Sequence, residues 1–244
     1  MKKFKALIVV TAFAMALLPR LAGTAAGADV EQVPCADPRG CPDLVVDPET
    51  MNPSVHTKTF KENDCQVQEG TVDPGTRRIL RFTYTTPNFG AGDLIVGRPE
   101  DHPEWFEFGE CHGHFHFREY ADYRLWTPDQ YAQYEALRQQ NPDLQASQVL
   151  AQNPGLQPIV GEKRGFCVID IWPYQAAPPK YVLCDFQGIS VGWADEYVSD
   201  LDSQFIDVTG VAPGTYVLEA EVNSERLFEE SDYTNNWSTN TVQI

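Results

Sequence analysis

Residues 214–223, GTYVLEAEVN, alternate apolar and polar side chains, and this alternation indicates the fold class. Successive side chains of a β-strand point to opposite sides, so the segment predicts a strand with one buried face. Ala212, Pro213 and Gly214 favour a turn at its start. Residues 78–86, RILRFTYTT, alternate in the same way and predict a second half-buried strand.

Further short runs of β-forming residues occur along the chain, separated by Pro, Gly, Asp and Asn. This arrangement is typical of an antiparallel β-sandwich. The predicted strands are residues 44–46, 78–84, 115–125, 166–172, 181–184, 204–208 and 216–222. We therefore expect a mainly β protein, an antiparallel β-sandwich with long loops and a short helical insertion.

The helical insertion is predicted at residues 127–155. Thr127 can cap the helix, Pro128 suits its first position, and Gln130 has the spacing of a capping box. Pro142 and Pro154 should divide the segment into pieces. Its many glutamines indicate a surface excursion between two strands, either a lid or an inert insertion.

The first 28 residues have the features of a secretory signal peptide. Three lysines precede an apolar run at residues 6–18, and small residues lead to a cleavage position before Asp29. We expect residues 29–244 to form one exported domain. No membrane span is expected, because no later segment approaches the roughly 20 apolar residues that a membrane helix needs.

The chain is strongly acidic, with a formal net charge of −17. Without residues 1–28, which contain four basic residues and no acidic one, the charge becomes −21. Nucleic acid is therefore not expected as a partner, because phosphate binding needs a basic surface. The acidity can attract cationic substrates or bind calcium, although a solubilising surface explains most of it.

Six cysteines in an exported chain predict three disulfides. Cys35 and Cys41 enclose a short loop and can pair locally. The other four cysteines would then link distant segments.

Residues 109–117, GECHGHFHF, place three histidines at alternate positions. His112, His114 and His116 would share one face of a strand, and neutral imidazoles suit copper, zinc or iron. All three can reach one ion only if the strand coils or bulges there, because alternate residues are separated along a straight strand. The opposite face is expected to be buried, namely Gly113, Phe115 and Phe117.

Several segments resemble, in order, the catalytic domain of the lysyl oxidase family. They are CPDLVVDPETM (41–51), RRILRFTYTTPNFGAGDL (77–94), CHGHFHFREYADYRL (111–125), GEKRGFCVIDI (161–171), GWADEYVSDLDSQFIDVTGVAPGTYVLEAEVN (192–223) and EESDYTNN (229–236). The resemblance covers most of residues 41–244. The chain departs from the family by a longer insertion around residues 127–160 and by Gly109, where animal members typically carry a further histidine.

The resemblance implies copper and a lysine tyrosylquinone made from Lys163 and Tyr197. Such enzymes oxidise primary amines to aldehydes and release ammonia and hydrogen peroxide. Asp195 and Asp200 both lie near Tyr197 in the sequence and are alternative catalytic bases. The resemblance also implies a disulfide between Cys111 and Cys184.

The segment EESDYTNN offers an all-oxygen ligand set of the kind that calcium prefers: Glu230, Asp232, Asn235 and Asn236. The resemblance adds Asp43 and the backbone carbonyl of Leu44, so that one ion would join the two ends of the domain. The alternative is an acidic turn that closes the last hairpin. Asn236 also begins a glycosylation sequon, and a glycan there would compete with calcium.

These expectations together favour a secreted copper amine oxidase. Its substrate would be a peptidyl lysine or a small primary amine. Two alternatives are a calcium-stabilised adhesive or binding module without catalysis, and a copper carrier that never forms the quinone. The binding module leaves the histidines and Lys163 unexplained.

Overall fold

The computed structural model describes residues 31–244. The elements in chain order are β1 (Ser54–Phe60), α1 (Cys65–Gln68), β2 (Gly75–Arg81), β3 (Tyr84–Pro87), β4 (Leu94–Gly97), β5 (Phe106–Gly109), β6 (His114–Phe117), β7 (Ala121–Trp126), α2 (Pro128–Gln140), α3 (Ala146–Gln152), β8 (Ile159–Val160), β9 (Trp172–Pro173), β10 (Gln187–Ile189), β11 (Trp193–Tyr197), β12 (Phe205–Asp207), β13 (Thr215–Val222) and β14 (Trp237–Gln243). Short strands dominate the described chain, which confirms the predicted mainly β class.

The strands pair antiparallel in five small sheets. The largest sheet has the order β14-β13-β7-β8, and its strand β13 is the alternating segment at residues 214–223. β13 pairs with β14 on one side and with β7 on the other. Leu218, Ala220 and Val222 on one face of β13 are buried in the core. The alternation in the sequence therefore marks the core face correctly.

Aromatic rings fill the centre of the core. The rings of Tyr84 and Tyr123 meet edge to face at 5.2 Å, and Phe166 lies 6.2 Å from each of them. All three side chains are buried, and Tyr120 packs against the same group. Large rings contribute much apolar area per residue and favour these tilted contacts. The cluster forms the apolar floor below the candidate site.

Some strands were missed and others were predicted where none forms. The strands that were not predicted are β1, β4, β5, β8, β10, β11 and β14. β1 is an edge strand whose side chains are mostly exposed and polar, so no apolar alternation marks it. Residues 166–172 and 181–184 form mainly isolated bridges and loops. Their apolar residues enter the core from irregular backbone, and composition alone does not distinguish that from a strand.

The insertion contains the two helices α2 and α3. Thr127 caps α2 by accepting a hydrogen bond from the backbone N–H of Gln130, and Pro128 occupies the first helical position, as predicted. Tyr134 stacks on Trp126 of β7 at 4.7 Å, and Arg138 pairs with Glu219 of β13. The helices thus cover the second face of the largest sheet, so this face is buried although its sequence is polar.

The structure contains three disulfides: Cys35–Cys41, Cys65–Cys111 and Cys167–Cys184. The local Cys35–Cys41 pairing is confirmed. The predicted pairing of Cys111 with Cys184 is wrong. Cys111 lies in the turn before β6, where it faces Cys65 of α1 with a Cα–Cα distance of 5.7 Å. Cys184 instead lies against Cys167, with a Cα–Cα distance of 5.4 Å.

Helices with the length and hydrophobicity needed to cross a bilayer are absent from residues 31–244. The predicted signal peptide, residues 1–28, lies outside the described residues.

Candidate metal and cofactor site

A tight turn between β5 and β6 brings the three histidines together. The backbone N–H groups of His112 and Gly113 both donate to the carbonyl of Gly109, at 3.0 and 2.7 Å. Gly113 has φ +71°, a conformation that glycine adopts without strain. The strand begins only at His114, so the histidines do not share one straight strand. This turn is the departure from a straight strand that the three histidines need in order to reach one ion.

The three imidazoles converge unequally. The Nε2 atoms of His114 and His116 are 3.1 Å apart. The ring of His112 lies farther away, with centroid distances of 5.2 Å to His116 and 5.9 Å to His114. A β-carbon at Gly109 would lie only 3.0 Å from Cε1 of His116 and 3.4 Å from Cδ2 of His112. The glycine therefore allows two of the rings to pack closely against the chain.

The opposite face of β6 is only partly buried. Phe117 is fully buried, but Phe115 is 41% exposed, so its predicted burial is wrong. Phe115 instead packs edge to face on Phe108 of β5 at 5.1 Å, and both rings face solvent. The hairpin has too few neighbours at its tip to cover both rings.

His114 and His116 are held in the neutral form that binds metals. Burial is the main cause that lowers the pKa of His116, to about 3, and the nearby Lys163 and His114 lower it further. Burial also lowers the pKa of His114. Both imidazoles are therefore neutral near pH 7, and each keeps a ring nitrogen lone pair for a metal ion.

Lys163 and Tyr197 lie at the same cavity as the histidines. The cavity has a volume of about 240 Å³ and is lined by His112, His114, His116, Lys163, Phe166, Cys167, Tyr197, Leu201 and Asp202. Lys163 comes from the loop after β8, and Tyr197 ends β11. The fold thus brings together five predicted site residues that are up to 85 positions apart in the chain.

Lys163 and Tyr197 both pack against the ring of Phe166. The Lys163 Nζ atom lies 4.9 Å from the centroid of the Phe166 ring, and the Tyr197 ring lies 4.4 Å from that centroid. Burial lowers the pKa of Lys163, although Glu69, Glu107 and Asp202 partly oppose the shift. A larger fraction of this amine is therefore neutral than for an exposed lysine, and the neutral amine is the nucleophile.

Of the two aspartates near Tyr197, only Asp195 contacts its hydroxyl group. The Tyr197 oxygen lies 2.6 Å from Oδ2 of Asp195 and 2.7 Å from the carbonyl oxygen of Cys167. Burial raises the pKa of Asp195 well above its usual range. A phenol has one proton, so the Tyr197 hydroxyl donates to one of these two oxygens at a time. Asp200 is exposed and lies near Arg81 instead.

A second cavity of about 510 Å³ adjoins the first and shares His116 and Lys163 with it. Four carboxylates line this second cavity: Glu69, Glu107, Glu110 and Glu162. Sequence reasoning missed these residues and also Asp202. They are scattered over the chain, and the only signal of them in the sequence is its general acidity.

The donor set at the first cavity fits copper. Imidazole nitrogens suit copper, zinc and iron, and three of them leave coordination positions for an external ligand. A tighter set, the sulfurs of Cys65 and Cys111 with Glu69, also lies nearby. Both sulfurs are joined in a disulfide and are not thiolates, so this set does not offer the ligands of a thiolate metal site.

Except for Asp232, the predicted calcium-binding residues are joined by hydrogen bonds. Glu230 Oε2 accepts from the backbone N–H of Leu44 at 2.7 Å, and Asn235 Nδ2 donates to Asp43 Oδ1 at 3.0 Å. Asn236 Nδ2 donates to Glu230 Oε1 at 2.6 Å. Within residues 31–244, the buried Oδ1 atoms of both asparagines have no hydrogen-bond partner. Buried amide oxygens beside two carboxylates fit a hard cation such as calcium.

Asp232 and Asn236 differ from the other predicted calcium ligands in their hydrogen bonds. Asp232 uses its Oδ1 atom to accept from the N–H and hydroxyl groups of Thr234, which folds the turn around it. Asn236 is 3% exposed, and its Nδ2 atom donates to Glu230 and to the carbonyl of Val222. A glycan on that nitrogen would replace one of its two hydrogens and break at least one of these contacts, so the folded site disfavours use of the sequon.

The chain is similar in sequence to known proteins over most of its length. The lysyl oxidase family profile matches residues 49–244. The chain is 30% identical to human (Homo sapiens) protein-lysine 6-oxidase over 210 residues, which cover 81% of the chain and 44% of that protein. It is 30% identical to human lysyl oxidase homolog 1 over 211 residues, 81% of the chain and 32% of that protein. The mouse (Mus musculus) lysyl oxidase homolog 3 is 32% identical over 165 residues, 66% of the chain and 18% of that protein.

The chain belongs to the lysyl oxidase family. The alignments span less than half the length of these relatives.

Proposed function

We propose that this chain is a secreted copper amine oxidase that converts primary amines to aldehydes. Each turnover would consume one amine, one dioxygen and one water, and would release one aldehyde, one ammonia and one hydrogen peroxide. The observation that carries the proposal is the single cavity lined by three histidines, Lys163 and Tyr197. It holds ligands for a redox metal beside the two side chains that would form lysine tyrosylquinone.

Copper and dioxygen would supply the oxidation of the Tyr197 ring, and the quinone formed with Lys163 would accept two electrons from the amine. The three histidines would hold copper at the edge of the cavity. Phe166 keeps the lysine amine and the tyrosine ring on its surface. The lowered pKa of Lys163 favours addition of its amine to an electrophilic ring.

We assign Asp195, and not Asp200, as the catalytic base. Its Oδ2 atom contacts the Tyr197 hydroxyl, and its other oxygen is buried without a partner among the described residues. A carboxylate whose pKa is raised by burial is a stronger proton acceptor near neutral pH. Oδ1 of Asp195 would take the proton that leaves the substrate carbon next to nitrogen.

The second cavity would admit the substrate. Its four carboxylates would favour an ammonium group over a neutral or anionic molecule. Relatives are named for protein lysine, so peptidyl lysine is included in the proposed substrate class with small primary amines. Peroxide release from a panel of lysine peptides, diamines and monoamines tests which of these is preferred.

Calcium is proposed as a structural ion between the two ends of the domain. The unpartnered Oδ1 atoms of Asn235 and Asn236 support it, together with the buried carboxylate of Glu230. Secretion is proposed from the three disulfides, which form and persist in oxidising compartments.

The decisive experiment is peptide mapping of copper-loaded protein after exposure to oxygen. We expect a covalently linked pair of peptides that contains Lys163 and Tyr197, a positive quinone stain and an absorbance band in the visible. A Lys163→Ala variant should lose all three signals but still bind copper, and Lys180→Ala serves as the matched control. Unlinked peptides in fully copper-loaded protein would leave a copper carrier, and protein that binds no copper would leave a binding module.

A further inference from the structure

Glu69 lies at the metal site although no motif in the sequence points to it. It follows α1, and its backbone N–H donates to the carbonyl of Cys65 at 2.9 Å. The Glu69 Oε2 atom lies 3.3 Å from Nε2 of His112. The Cys65–Cys111 disulfide joins α1 to the residue directly before His112. The backbone hydrogen bond of Glu69 and the Cys65–Cys111 disulfide therefore hold the Glu69 carboxylate beside the His112 imidazole.

His112 is the histidine with the least support from the strand. His114 and His116 belong to β6, whereas His112 lies in the turn before it. Gly109, which adjoins the Cδ2 edge of the His112 ring, contributes no side chain. Among the described residues, Glu69 is the one hydrogen-bond partner of this ring.

We propose that Glu69 is a positioning residue of the copper centre and acts by holding the His112 imidazole. The inference rests on the proposed copper cofactor. A carboxylate that accepts a hydrogen bond from Nε2–H fixes the tautomer in which Nδ1 has the free lone pair. It also makes that nitrogen a stronger ligand. Loss of such a partner typically lowers metal affinity about 10- to 100-fold.

The test is a competition titration of metal-free protein with copper(II) and a chelating dye. We expect wild-type protein to bind one copper ion, and Glu69→Ala to bind it about 10- to 100-fold more weakly. Glu110→Ala is the matched control, because Glu110 lines the same acidic cavity without a hydrogen bond to His112. Electron paramagnetic resonance of bound copper should change in Glu69→Ala and not in Glu110→Ala. Circular dichroism would establish that each variant is folded.

A double-mutant cycle separates action through His112 from a general charge effect. In a His112→Ala background, Glu69→Ala should cause no further loss of affinity. The same loss in that background would overturn the inference, as would wild-type affinity in Glu69→Ala. Either result would leave the proposed oxidase intact as long as wild-type protein binds copper. A wild-type protein that binds no copper would refute the oxidase and the inference together.

Discussion

Removing calcium should make the stability of this protein fall as pH rises. Glu230 is 7% exposed, and burial raises its pKa from 4.5 to about 8 in the metal-free fold. Between these two values the folded state binds one more proton than the unfolded state, so the free energy of unfolding decreases with pH. At 1.36 kcal/mol per pH unit, the loss between pH 4.5 and 8 is about 5 kcal/mol as an upper bound. Calcium would compensate the ionised carboxylate and remove this dependence.

Urea unfolding, followed by tryptophan fluorescence from pH 5 to 8.5, measures the effect. The free energy of unfolding should fall over this range in calcium-free buffer and change much less in excess calcium. Saturation at about 100 times the dissociation constant should itself add about 2.7 kcal/mol. Glu230→Gln should be insensitive to calcium and should lose the part of the pH dependence that Glu230 contributes, while Glu229→Gln, at its exposed neighbour, should behave as wild type. Stability that stays level or rises with pH without calcium would refute the reasoning.

Three further predictions concern the insertion and the active site. Arg138→Ala should lower the free energy of unfolding by about 3–5 kcal/mol, because Glu219 would lose a buried partner. Urea unfolding measures this change, and a decrease below about 1 kcal/mol would contradict the prediction. Thr127→Ala should cost about 1 kcal/mol by removing the helix cap, again measured in urea, with no change in copper affinity. Asp195→Asn should abolish peroxide release but keep bound copper, because an amide cannot take the proton that leaves the substrate carbon. Retained turnover would exclude Asp195 as the base.

Local sequence patterns predicted several elements of the fold. The alternation at residues 214–223 predicted β13, and Thr127 with Pro128 predicted the start of α2. These features depend on near neighbours in sequence, because side-chain alternation and helix capping act over a few residues. β1 was missed since its exposed edge position needs no apolar residues.

The candidate site was predictable only in part. The spacing of the histidines and the family resemblance of the segments around Lys163 and Tyr197 predicted five of the nine residues that line the first cavity. Glu69 was missed, and the cysteine pairing was partly wrong. The Glu69 contact and the cysteine pairing depend on which distant segments lie side by side. For example, α1 packs beside the turn that contains Cys111.

The sequence by itself determined the β class, the helical insertion and the residue types of the proposed copper and quinone site. The fold class and the insertion follow from local periodicity and the histidine site from side-chain chemistry, whereas the roles of Lys163 and Tyr197 follow from the resemblance to the lysyl oxidase family. Only the tertiary structure decided the contacts between segments: Cys65 with Cys111, Glu69 with His112, and Asp195 with Tyr197. Such contacts depend on how the whole core packs, and no short stretch of sequence encodes the position of its distant neighbours.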